Sequence, residues 1–349
     1  MSIKDQIFQE SMPPTYIKLF LQHAASEGLS ATQILTGTHL DADDLLQGDP
    51  RVSFAETRQV LANMTQIMGP GWHLALARRL TISSHGPLGF AVVTASDMRN
   101  AVDVLLRFFA IRAPFLWLAG AIEGNEFVIR LYEAVPLDEQ RNELLELALL
   151  AMQRLLERPL GRKIRSAHIA LAYSEPAYSA RLKRDFHAGL EFDAGGHLLR
   201  FPSSWLDEPC VLHDEAMHRY LLLRCEEDLH SAMGILPAEI AIRQALLVRS
   251  ETVPGLKEIA ASQNVSQRTL IRRLKRAGTS YNAIREDVRK TRAVDYLLHS
   301  GFNVTSIAYR LGYKDPSNFG RAFRGWFGVS PGRYRDQAKG SGADQEPAR

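Results

Sequence analysis

Basic side chains recur at helical spacing in two places of this 349-residue chain, and their chemistry suits nucleic acid. The first series is Arg268, Arg272 and Lys275; the second is Arg321 and Arg324, preceded by Ser317. An arginine fork matches the O6 and N7 acceptors of guanine, and any basic group can neutralise a phosphate. Leu270 and Leu274 lie opposite the first series, and Phe319, Ala322, Phe323 and Trp326 opposite the second. Each stretch therefore predicts a helix with one buried face and one exposed basic face.

Other reactive side chains form no catalytic set. The 11 histidines include no His-x-x-x-His or His-Glu-x-x-His pattern, and there is no Cys-x-x-Cys. There is also no Gly-x-Ser-x-Gly elbow or phosphate-cradling glycine loop. His85, beside glycines, reads first as a structural turn histidine and second as a residue lining a ligand site. His168 and His197 read as cross-strand neighbours. Ser83 and Ser84 next to His85 lack an acid partner, so a hydrolase reading has little weight. Phe108, Phe109, Phe115 and Trp117 read as core rather than a cofactor box. Cys210 and Cys225 are the only cysteines, too few for a disulfide framework and without metal-ligand spacing. No catalytic residue, metal or cofactor is expected.

Stepping outward from the basic series, each belongs to a longer repeated unit. Leu256, Ile259 and Ala260 share a helical face, followed by Asn264-Val265 and then Ser266 to Lys275. Val304, Ile307, Ala308 and Leu311 repeat it, followed by Gly312-Tyr313 and then Ser317 to Arg324. The offset is about 48 residues before the turn and about 49 after it, within the range of internal repeats. Asn and Gly are the residues that best tolerate a left-handed turn. The prediction is a helix-turn-helix, twice. Between the copies, Tyr281, Ile284 and Val288 share one face, and Ala293, Tyr296 and Leu297 another. A stripe that jumps midway fits one long helix, Tyr281–Leu298, packing its halves on different subdomains.

The run Val304-Thr-Ser-Ile-Ala-Tyr-Arg-Leu-Gly-Tyr-Lys-Asp-Pro-Ser-Asn-Phe-Gly-Arg-Ala-Phe-Arg, closing with Gly328-Val-Ser-Pro331-Gly-Arg-Tyr-Arg335, resembles the signature of AraC/XylS-type bacterial transcription regulators. The first copy, with Ser266, Leu270, Arg272, Leu274 and Gly278-Thr-Ser-Tyr281, matches it too, so the resemblance covers about a hundred residues. It supports DNA contact by Arg268, Ile271, Arg272 and Lys275 in one major groove, and by Ser317, Asn318, Arg321 and Arg324 in the next. Asn318 can pair with adenine, and Ile271 can touch a thymine methyl. Position 268 varies widely in the family, so the base read by Arg268 does not follow from the resemblance.

Charge divides the chain the same way. Residues 241–349 hold 20 Lys and Arg against 9 Asp and Glu, a balance of +11; the rest carries −8, which gives the overall +3. A basic last third suits a phosphate backbone, and an acidic remainder would be repelled by it. No apolar run reaches membrane-spanning length, and Met1–Glu10 is polar rather than a signal peptide. With two cysteines, this points to a reducing cytoplasm and no membrane partner.

The amino-terminal part mixes elements. Helices are expected at Met12–Ser26, from the Ser53–Glu56 capping box to Met68, at Trp72–Leu80, Asp97–Ala110, Asp138–Glu157, Glu175–His187 and His213–Ser231. Asp41–Pro50 reads as a turn-rich connection. Thr81–Gly89 reads as constrained backbone at a bend or close approach. Phe115–Ala121 and Glu126–Glu133 flank Glu123-Gly-Asn125 as a hairpin. Ile164–Tyr173 is a strand, and Gly189–Asp193 with His197–Phe201 form a second hairpin. Met233–Pro237 reads as the linker.

The His85-Gly-Pro-Leu-Gly89 segment, then a helix and hairpins, resembles the arabinose-binding-like amino-terminal domain of one AraC-type subgroup. That likeness implies sensing and oligomerisation; the domain's name does not make arabinose the effector. The expected architecture is an α+β ligand and oligomerisation domain (1–232) before an all-α domain (238–337) with two helix-turn-helix units joined by a long helix. Residues 338–349 form a flexible tail. The expected function is a sequence-specific DNA-binding regulator, an effector-responsive activator rather than a repressor. Its partners would be double-stranded DNA, an unidentified small effector, a second copy in a homodimer, and RNA polymerase. The alternatives are a nucleoid-associated protein without regulatory specificity, or a DNA-processing enzyme sharing the reader.

Overall fold

The computed structural model describes residues 14–48, 50, 52–134, 136–235, 242–243, 246, 255–262, 265–276, 278–299 and 302–340. The chain divides into two compact units, Met1–Ile240 and Ala241–Arg349.

In the first unit, helices α1 (Thr15–Ser26), α2 (Ala31–Leu35), α3 (Ala42–Gln47), α4 (Phe54–Met68), α5 (His73–Arg79), α6 (Gly86–Val93) and α7 (Met98–Phe108) precede the hairpin β1 (Leu116–Glu123) and β2 (Glu126–Glu133). Then come α8 (Arg141–Leu160), β3 (His168–Ala170), α9 (Ser179–Asp185), β4 (Gly189–Glu191), β5 (His197–Pro202) and α10 (Glu215–Ile235). Ile17, Phe20, Leu21 and Ala24 of α1 are buried, as their spacing predicts. Ser53 caps α4 reciprocally with Glu56, and Ala101, Val104, Leu105 and Phe108 form the buried face of α7. One hydrophobic cluster joins these helices to the inward residues of the sheet, including Phe127, Ile129, Leu199 and Phe201.

Several expectations need correction. Asp41–Pro50 is not merely a turn: Asp41 accepts from the Asp43 and Asp44 amides and starts α3. Such a helix is too short to show an apolar period. Thr81–Gly89 does bring backbone close, but its second half opens α6 with Pro87 in the first turn. The second hairpin is absent. The sheet runs β1-β2-β5-β3-β4, so β5 inserts between β2 and β3, antiparallel to both, while β4 pairs in parallel with β3. A short polar connection mimics a hairpin turn, but the pairing is decided by strands far away in sequence. The first three residues read as linker are helical, because α10 continues to Ile235; Leu236 and Pro237 lie outside the described residues.

A polar network is sealed inside this unit. His73 and Glu146, both fully buried, approach at 2.5 Å between Nε2 and Oε2. The other Glu146 oxygen accepts from the Tyr178 hydroxyl at 3.1 Å and from that of Tyr173. Burial, reinforced by the Glu146 charge, pushes both tyrosine hydroxyls up and keeps them protonated donors.

The second unit is helical among its described residues: α11 (Leu256–Ser262), α12 (Gln267–Arg276), α13 (Tyr281–His299), α14 (Val304–Arg310), α15 (Pro316–Phe327) and α16 (Pro331–Gly340). Residues 338–340, read as the start of the tail, belong to α16; residues 341–349 lie outside the described residues.

Candidate nucleic-acid interface

Each basic series sits on the second helix of a helix-turn-helix. In the first copy Ile259, Ala260, Leu270 and Leu274 are buried. The turn residue Asn264 lies outside the described residues, but its neighbour Val265 donates its amide to the Ala260 carbonyl at 3.0 Å. In the second copy the matching amide, Tyr313, donates to Ala308 at the same 3.0 Å. Gly312 there has φ of +77°, the left-handed conformation a glycine takes without strain. The two turns are thus closed by the same backbone bond, reaching five residues back.

Capping starts each recognition helix. Ser266 Oγ accepts from the Thr269 amide at 3.1 Å before α12, and Asp315 Oδ1 from the Ser317 amide at 2.8 Å before α15. Phe319 and Phe323 of α15 pack with Ile307, Ala308 and Leu311, and with Ala293 and Leu297 from the back of α13. Ile284 and Val288, on the front half of α13, are buried outside that cluster. The apolar stripe of α13 therefore jumps midway, and its back half packs on the second copy.

Arg268, Ile271, Arg272 and Lys275 are all exposed on α12, as are Ser317, Asn318, Arg321 and Arg324 on α15. Ile271 is 51 % exposed. An isoleucine bare among arginines costs solubility and suits an apolar contact to a base. Arg273 and Arg276, on the same turns of α12, are exposed too and were not singled out by the sequence pattern. Arg321 Nη2 donates to Asn318 Oδ1 at 2.6 Å, so these two act as a pair rather than independently. Their three-residue spacing on a helix is the signal that could have revealed it.

Not every basic group faces outward. Arg289 donates to the Leu311 carbonyl at 3.0 Å and lies 4.8 Å over the Tyr313 ring. Burial lowers its guanidinium from the ordinary value, while the facing Tyr313 opposes that shift. Arg335 ties α16 to the carbonyls of Leu297 and Phe302, at 2.8 and 2.7 Å. The acidic groups are also engaged in holding elements together. Glu286 accepts from the Trp326 indole at 2.7 Å, Asp287 pairs with Arg243 at 2.5 Å, and Asp315 is a cap. The exposed faces of α12 and α15 are left basic.

Two exposed basic helices, each the second member of a helix-turn-helix on a shared rod, define a double helix-turn-helix DNA-binding domain. A family model described as a helix-turn-helix domain matches residues 259–337. A second, the arabinose-binding domain of AraC transcription regulators (amino-terminal), matches residues 28–210. The chain belongs to the AraC family of transcription regulators, a family of regulators rather than enzymes. It is 28% identical over 332 residues to the ornithine utilization regulator of Pseudomonas aeruginosa, covering 94% of this chain and 97% of that one. The transcriptional activator NphR of a Rhodococcus species is 32% identical over 142 residues, 41% of this chain and 40% of that one. The crystal structure of the transcriptional regulator CdpR from Pseudomonas aeruginosa superposes with a TM-score of 0.45 at 20% identity, covering 92% and 98% of the two chains.

His168, His197 and the two cysteines have structural surroundings. His168 Nε2 meets Glu191 at 3.1 Å, and His197 Nδ1 accepts from the Ala172 amide at 3.3 Å. Cys210 and Cys225 are buried free thiols, pushed up to about 11 and about 12, mainly by burial. Phe108, Phe109, Phe115 and Trp117 are core. No described helix is long and apolar enough to cross a membrane.

Proposed function

We propose that the chain is an effector-responsive transcription activator that works in the cytoplasm as a homodimer. The observation that carries this reading is the pair of recognition helices, each with its apolar face buried and only its basic face exposed. In this reading residues 1–232 bind effector and partner subunit, residues 238–337 read DNA, and the residues after α16 are a tail. Arg268, Ile271, Arg272 and Lys275 enter one major groove; Ser317, Asn318, Arg321 and Arg324 enter the next. A small-molecule effector is supported by the description of the matching amino-terminal family model. Activation, and with it contact to RNA polymerase, is supported by the relative named as a transcriptional activator.

The dimer reading rests on α10. Met217, Tyr220 and Leu223 follow at three-residue steps and are 47, 58 and 61 % exposed. Leu212, at 49 %, extends the apolar patch. An exposed apolar row on a helix that already buries Leu221 and Cys225 in the core marks an interaction surface.

An effector can act only by binding the DNA-competent and incompetent states unequally. A promoter reporter driven by the full chain should respond to a stimulus, and one driven by a chain lacking residues 1–232 should be indifferent to it. An unchanged response to every stimulus after that deletion would remove the sensing role.

A further inference from the structure

The amino-terminal unit holds a partly open cavity of about 70 Å³ between α1, α4, α5, α6, α8 and the segment after α7. Its walls are almost wholly apolar, with Phe20, Leu76, Leu88, Phe115, Leu147 and Met152 prominent. Four polar residues also line it, Tyr16, Thr57, His85 and Arg112, and Tyr16, His85 and Arg112 bear on one another. The Tyr16 hydroxyl lies 3.1 Å from His85 Nδ1, and Arg112 Nε donates to the His85 carbonyl at 2.8 Å.

The backbone is shaped to hold that arginine. Gly86 has φ of +56°, and a Cβ on it would stand 1.8 Å from Arg112 Nη2. Only glycine lets the guanidinium lie against this turn. The constrained His85-Gly86-Pro87 stretch, unexplained by DNA binding, is thus a seat for Arg112. Burial, then the Arg112 charge, lowers His85 to about 4, so it is neutral near pH 7. Burial likewise raises the Tyr16 hydroxyl to about 12 and keeps it protonated. Among the described residues Arg112 has no carboxylate partner, and none of the described cavity lining is acidic. A cation beside apolar walls, with guanidinium donors left over after one bond, lacks its natural counter-charge.

We propose that this cavity is the effector site, and that it takes a small carboxylic acid with an apolar body, its carboxylate on Arg112 beside the Tyr16–His85 pair. The proposal rests on the reading of this unit as a sensor and specifies its ligand class. A carboxylate accepts two parallel bonds from a guanidinium, and the apolar walls take the hydrocarbon. The volume suits a compact acid, with room for roughly five water-sized groups at ~15 Å³ each. An ammonium in the same place would meet Arg112 and no counter-charge among the lining residues, so simple amines do not fit.

The site is separated from the helix bearing the apolar patch by α6 alone. Leu88 belongs to α6, which packs on α10, and the Arg112 charge bears on the buried Cys225 thiol of α10. Neutralising Arg112 with a bound carboxylate alters the field and packing under that helix.

The test is thermal unfolding and titration of the full chain with propionate and butyrate, with butylamine and butanol as controls. A ligand that binds only the native state raises the unfolding temperature by mass action. The acids should do so saturably and the controls should not. Arg112→Leu should weaken acid binding by about 10- to 100-fold, the range of a charged hydrogen-bonded contact. Ala148→Leu, which fills the cavity without touching Arg112, should weaken it too, and keeps the test open if the arginine variant does not fold. The proposal is overturned if neither acid binds the wild-type chain, if butylamine or butanol binds as well as the acids, or if both variants bind the acids normally. In each of those cases a promoter response to some other metabolite would show that the sensing role survives its proposed ligand.

Discussion

Replacing Arg272 and Arg321 together by alanine should weaken specific DNA binding by about 2–6 kcal/mol, from ~1–3 at each base-reading arginine. The two side chains lie on separate helices with separate cores, so their losses should add. Each single change should relax sequence choice only in its own half of the site. Arg321→Ala also frees Asn318, now bonded to it, and so should blur one further neighbouring base. Competition binding against operator and random DNA separates this from a phosphate role. Loss of a phosphate contact weakens all sequences alike and lowers the salt slope by about 0.9. That uniform outcome for both residues would favour a nucleoid-type binder over a specific reader.

Glu146→Ala should destabilise the amino-terminal unit by ~3–5 kcal/mol, the usual cost of leaving half of a buried pair alone. His73 and two tyrosine hydroxyls lose their shared acceptor in a fully buried place. Against a typical domain stability of ~5–15 kcal/mol the loss is severe. At ~2–4 °C per kcal/mol for a unit of this size, the unfolding temperature should fall by about 6–20 °C. Glu146→Gln keeps an acceptor for the tyrosines and should lose less. Calorimetry of the full chain checks both, and DNA binding by residues 234–337 alone provides a reference that the change cannot reach. Equal stability of Glu146→Ala and the wild-type chain would mean that the network contributes nothing net.

Much of the carboxy-terminal unit was legible because its signals are local. Ile259, Ala260, Leu270 and Leu274 recur at helical spacing, and the repeat doubles each signal. The same holds for the Ser53–Glu56 cap and the β1–β2 turn at Gly124. The β5 insertion was not legible, because neighbours of an antiparallel strand are chosen by contacts from Glu126 to Pro202 and from His168 to Arg200. Helix α6 escaped for another reason: its residues from Leu88 to Val93 are almost all apolar, so no face contrasts with another. From the sequence His85 reads as a turn residue or a ligand-site residue, and it is both a neighbour of the turn glycine and part of the cavity lining. Its partners Tyr16 and Arg112 are 69 and 27 positions away, beyond the reach of any periodic pattern.

The central claim is that one chain carries both readers of an asymmetric site. The direct measurement is a footprint of the fragment from Gly234 to Gln337, with the mass of its complex determined on the same DNA. Single helix-turn-helix regulators need two subunits to place recognition helices one DNA turn apart, and so they read palindromes. Here α13 joins both subdomains, and nothing imposes two-fold symmetry. With helices about 34 Å apart in adjacent major grooves, one fragment should protect roughly 15–20 base pairs of non-palindromic sequence. The full chain should occupy two such elements and bind more tightly through effective concentration, and Leu223→Glu should return it to one. A complex containing two fragments on a palindrome would contradict the account, even with every helix where it is described.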